Sequence, residues 1–72
     1  MDKIEFSSFI KDSREDLGVT KTRFAELLDI NWITVWRWEN KHNIPAENII
    51  DMWINKIEMI KNENTKAHKN IR

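Results

Sequence analysis

Apolar side chains recur at steps of three and four through most of the chain and no two-residue alternation persists, so the pattern predicts helices and no strand. Phe6, Ile10, Arg14 and Leu17 share one helical face. Gly18 follows as the left-handed stop, and Asp2 with Glu5 three residues on is a capping box that starts this helix early. Thr20 is an N-cap for a second helix that turns Phe24, Leu27 and Leu28 inward, with Ala25 small enough for another backbone to approach. Asp29-Ile30-Asn31 is a turn, Ile30 plugs it, and Asn31 caps a third helix from Trp32 to about Asn40 with Val35 and Trp38 inward. Pro45 sits in the first turn of a fourth helix, with Glu47 near its positive end. That helix carries an apolar stripe of Ile49, Ile50, Trp53, Ile54, Ile57 and Ile60.

From Lys61 the period is lost, and residues 61–72 read as a polar tail with four basic residues against one acid. The expectation is therefore an all-α, four-helix fold: a domain over residues 1–60, with two short helices and a tight turn at 20–40, and a basic tail over 61–72 that frays. One glycine and one proline leave too little punctuation for a sheet, and no repeat or second domain is visible.

Composition narrows the function. At 72 residues, 40% hydrophobic and 33% charged, the chain reads as a single globular domain near the lower size limit for one core. Without cysteine it can form neither a disulfide nor a thiolate metal site, and His42 and His68 lie far apart without companion ligands. No carboxylate pair or nucleophile-base set converges, so neither catalysis, a metal nor a cofactor is expected. The apolar runs fall far short of a bilayer span and the acidic start does not resemble a signal peptide, so the expected setting is cytoplasmic with no membrane contact. Twelve basic side chains balance twelve acidic ones. The balance is uneven: residues 1–30 carry seven acids against five bases, which leaves the later part cationic and able to face phosphate.

Three of the four tryptophans fall in W32-I-T-V-W-R-W-E39. With Val35 and Trp38 defining the inner face of helix three, Trp38 belongs to the core, bridging to helix one and to the loop before Pro45. Trp32, Ile33, Trp36, Arg37 and Asn40 then lie outside. The alternative placement folds Trp32 back over helix two and packs Trp36 on helix four.

The run T20-K-T-R-F-A-E-L-L-D-I-N-W-I-T-V-W-R-W-E39, with Leu17-Gly18 before it and Pro45 after it, resembles the helix-turn-helix family of phage Cro and lambda-type repressors. The likeness runs from about Arg14 to Pro45, more loosely to Ile60. It implies a lambda-repressor-like domain that binds an operator in double-stranded DNA. It also implies an ion pair between Arg14 and Glu39, and base contacts from Trp32, Ile33 and Arg37, with Trp36 on the same face. Arg37 is the best suited of these to specify a base, because its fork can grip both acceptors of guanine. Ile33 reads only by shape, against a thymine methyl. The chain departs from the family at Trp32 and Ile33, where glutamine and serine are usual, at Lys21 in place of glutamine, and at Lys41 in place of glycine.

Phosphate contacts are expected from Lys21, Thr22 and Thr34 on one flank and from Asn40, Lys41 and His42 on the other. A lone recognition helix offers few contacts, so a homodimer on two half-sites is expected, joined through Ile50, Trp53, Ile54 and Ile57. The regulator would repress by covering promoter DNA. The competing expectation is a protein-binding module, such as an antitoxin or inhibitor, that uses the tryptophan-rich face of helix three on a protein partner.

Overall fold

The computed structural model describes the backbone of residues 2–71 and the side chains of residues 2–63. It contains four helices, α1 (Lys3–Leu17), α2 (Lys21–Leu28), α3 (Trp32–Glu39) and α4 (Glu47–Ile71), and no strand among the described residues.

Short polar side chains start the first three helices. The backbone N–H of Glu5 donates to Asp2 Oδ1 at 2.8 Å, that of Arg23 to Thr20 Oγ1 at 3.1 Å, and that of Ile33 to Asn31 Oδ1 at 3.0 Å. Each bond satisfies a first-turn donor that has no partner inside its helix. Left-handed residues stop the first two. Gly18 (φ 68°) closes α1, with Val19 N–H returning to Arg14 O, and Asp29 (φ 58°) closes α2, with Ile30 N–H returning to Ala25 O at 3.0 Å. Ile30 is thereby fixed, half-buried, in the middle of a three-residue turn between two eight-residue helices.

The core is one cluster to which every helix contributes: Phe6 and Ile10 from α1, Phe24, Ala25 and Leu28 from α2, Val35 and Trp38 from α3, Ile50 and Ile57 from α4. α1 packs on α3 and α4, and α2 also packs on α3 and α4. Trp38 sits near the middle, with edge-on contacts to Phe6 at 5.2 Å and to Trp53 at 5.3 Å between ring centroids. Its indole thus ties α3 to α1 and α4. Ala25 is buried where α2 and α3 pack, a position that a larger side chain would force apart.

Three expectations need correction. Leu27 is only half-buried and lines an open groove of about 300 Å³ with Leu17, Val19, Arg23, Ile60 and Glu63. Pro45 precedes the helix rather than lying in its first turn, because Ala46 O already accepts from Ile49 and Ile50 and α4 begins at Glu47. α4 also does not stop near Ile60. Loss of an apolar stripe removes a reason to pack, but residues 61–71 contain neither glycine nor proline to end the helix, and it continues to Ile71. The basic side chains expected of the tail beyond Glu63 lie outside the described residues.

Candidate nucleic-acid interface

The inward turn of Val35 and Trp38 decides what α3 shows to solvent. Trp32 is 50% exposed, Trp36 is 40% exposed, Arg37 and Asn40 are exposed, and Ile33 and Thr34 are half-buried. Trp38, by contrast, is 5% exposed. The three neighbouring tryptophans therefore divide one inward and two outward, as the helical period requires.

Glu39, the acid at the end of α3, does not share the outward face. It turns back to Arg14, whose Nε donates to Oε2 at 2.7 Å and whose Nη2 donates to Oε1 at 3.1 Å. The two side chains retain 15% and 6% exposure, so the contact is largely out of water. The bonds to Glu39 push the Arg14 guanidinium above its ordinary arginine range, against the opposing effect of burial. Arg14 Nη1 also donates to Val19 O at 3.3 Å, tying the pair to the α1–α2 loop.

Lys21 was expected at phosphate. Its Nζ lies 3.9 Å from Glu39 Oε1, so the ammonium is drawn toward the Arg14–Glu39 pair at the start of α2 and is still half-exposed. Thr22 beside it is exposed.

The other flank is built differently from the expectation. Asn40 caps α3, its Nδ2 donating to Trp36 O at 2.8 Å. Lys41 then takes a left-handed conformation (φ 65°), its N–H donating to Trp38 O at 3.2 Å. Lys41 thus holds, with a side chain, a backbone conformation that glycine adopts without steric cost. The His42 N–H donates to Arg37 O at 2.7 Å, and Asn43 is again left-handed (φ 53°). This path lays the His42 ring on Trp36, with centroids 5.9 Å apart and planes 12° apart. In place of the alternative packing of Trp36 against helix four, Trp36 stacks with His42 from the loop that follows α3, which no spacing signal in the sequence announces.

Two α4 lysines also escaped sequence reasoning. Lys56 Nζ donates to Leu28 O at 3.1 Å, supplying a cation to the negative end of α2, and lies 5.3 Å from the Trp53 ring. Lys61 pairs with Asp16 at 3.6 Å and lies over Phe9 at 5.7 Å. Both link residues far apart in the chain.

Of the four side chains expected at a dimer contact, Ile50 and Ile57 are fully buried within this chain's own core, while Trp53 and Ile54 are half-buried against it. Two turns separate Ile50 from Ile57, so both point at α1 and α2 and neither can meet a second molecule. The apolar side chains that α4 leaves exposed are Ile49, Met52 and Met59.

Among the described residues no group of three or more His, Asp or Glu side chains could hold a metal ion, and no helix is long and apolar enough to cross a membrane. No family model matches the chain, and no curated protein or solved structure matches it.

Proposed function

We propose that this protein is a small, non-catalytic, sequence-specific DNA-binding regulator of the Cro and lambda-repressor type, which places α3 in the major groove of an operator and represses by covering promoter DNA in a phage or bacterial cytoplasm. One observation carries the reading. α3 turns its only acid inward onto Arg14 and leaves Trp32, Ile33, Trp36 and Arg37 outward, a face with one fork-shaped cation and no carboxylate.

Arg37 is assigned to a guanine edge, Ile33 and Trp32 to thymine methyl and sugar surface, and Trp36 to the rim of the same contact. Lys21, Thr22 and Thr34 on one side and Asn40, Lys41 and His42 on the other are assigned to phosphate, Asn40 through the part of its amide not used in capping. Dimerisation is assigned to the exposed Ile49, Met52 and Met59 together with the half-buried Trp53 and Ile54.

The test is selection from a randomised duplex library at near-physiological salt. An enriched palindrome with half-sites about one helical turn apart supports the reading, and Arg37→Ala should then relax selection at one base pair. Retention without enrichment rejects it. The second reading, a protein-binding module, is favoured by the exposure of Trp32 and Trp36 on a chain of zero net charge, since indoles dominate protein hot spots.

A further inference from the structure

The stack of His42 on Trp36 buries neither ring, so the core does not account for it. Trp36 stays 40% exposed and His42 stays exposed. The local backbone nevertheless fixes the arrangement. Lys41 and Asn43 occupy the left-handed region on either side of His42, a conformation that asparagine accepts readily but that is sterically costly for lysine, so at Lys41 the surroundings impose it. The bond from His42 N–H to Arg37 O and that from Asn40 Nδ2 to Trp36 O pin both ends of the segment. Trp32, four residues before Trp36, shares its helical face and is half in solvent. The outcome is one preformed pair of parallel rings, Trp36 and His42, with the exposed Trp32 indole one helical turn away on the same face.

Along the segment that carries these rings the exposed charge has one sign. From Trp32 to Asn43 the side chains include Arg37 and Lys41, both exposed, and the sole acid is Glu39, which is largely buried against Arg14. The complementary partner has planar faces to stack and negative charge along its backbone. Duplex DNA has the charge, but its base faces are already stacked on one another. An acidic peptide also has the charge, but offers no planar surface to match three aromatic rings.

We infer that this face binds an unpaired nucleic-acid strand, with bases stacked on Trp36, His42 and Trp32 and phosphates held by Arg37 and Lys41. This goes beyond the operator reading, because it invokes base faces rather than base edges. It also stands or falls separately from the duplex selection. DNA and RNA present the same stacking chemistry, and a measurement on each identifies the source.

The full chain is titrated with twelve-nucleotide thymidine and uridine homopolymers and with a twelve-residue glutamate peptide, following tryptophan emission and the anisotropy of an end label. Saturable binding of one or both homopolymers with quenched emission is the expected result, and the tighter of the two names the source. Trp36→Ala should weaken that binding roughly tenfold, the loss of one stacked base, while Trp36→Phe keeps most of it. Lys41→Ala should lower the salt slope by nearly one unit without abolishing the quench. Circular dichroism establishes that each variant is folded, and His42→Ala supplies a second aromatic deletion outside every helix. The inference is overturned if neither homopolymer binds, if binding is indifferent to both aromatic deletions, or if the glutamate peptide binds more tightly than either strand.

Discussion

Arg14 and Glu39, 25 residues apart in sequence, meet in a two-point contact that locks the last turn of α1 to the last turn of α3. Both charges are largely withdrawn from water, so each depends on the other for its stability. Removing one partner by Arg14→Met or Glu39→Gln should cost on the order of 3–5 kcal/mol, whereas the double apolar replacement should cost much less. Urea titration of the four proteins gives the coupling, read from midpoints at constant slope. Single variants that lose under about 1 kcal/mol would place the pair with solvated surface bridges instead. The Arg14 pKa is raised on folding, so its contribution is present below the ordinary arginine value and lost only as pH climbs above it. From mildly acidic to mildly alkaline pH the guanidinium should therefore contribute no pH dependence of its own.

Gly18 and Lys41 share a backbone conformation, φ 68° and 65°, yet only one has the residue that suits it. A Cβ added at Gly18 meets nothing within 4 Å, so the penalty for Gly18→Ala is torsional alone and should be about 1–2 kcal/mol. Lys41→Gly removes the same kind of strain and should stabilise by up to about 1 kcal/mol, net of the greater freedom glycine has when unfolded. In a domain of this size 1 kcal/mol moves the melting temperature by roughly 4–8 °C, within reach of calorimetry. A lower melting temperature for Lys41→Gly would show that the lysine makes a compensating contact.

The elements legible in the sequence are those written in local chemistry. Asp2, Thr20 and Asn31 announce helix starts because a short side-chain acceptor can satisfy a nearby amide only there. Val35 and Trp38 place the inner face of α3 by spacing alone, and Ala25 and Ile30 mark where α2 and the turn must fit closely. What depends on tertiary geometry was hidden. Nothing near Lys56 indicates that it reaches the carbonyl of Leu28, 28 residues away, and nothing near His42 indicates a ring stacked on Trp36. The stripe on α4 reads as one surface, and only packing separates buried Ile50 and Ile57 from exposed Ile49.

Ser13 and Ser7 are both buried on α1, with different outcomes for their hydroxyls. Ser7 Oγ donates to Lys3 O at 3.3 Å, whereas Ser13 Oγ makes no hydrogen bond among the described residues. An unsatisfied buried hydroxyl opposes folding, and alanine is also the better helix former. Ser13→Ala should therefore stabilise by about 1 kcal/mol, while Ser7→Ala should change stability little. Thermal melts of the two variants beside the parent decide it. Destabilisation by Ser13→Ala would mean that the hydroxyl has a partner, such as an ordered water.

Asp2 is where acid should act first on the α1 terminus. Its carboxylate accepts the Glu5 N–H at 2.8 Å, and that bond is the main cause that holds the carboxyl below its usual range. A folded pKa below the unfolded one means the charged cap contributes stability above the unfolded value, and that contribution disappears as pH falls through the folded value. The window therefore lies at and just under the ordinary carboxylate range, well clear of neutrality. Asn at position 2 keeps an acceptor for the same amide but cannot titrate and lacks the negative charge that favours a helix start. Asp2→Asn should consequently melt below the parent at neutral pH, with the gap narrowing as pH drops through that window. A gap of constant size across the acid limb would show that the carboxylate does not titrate as a cap.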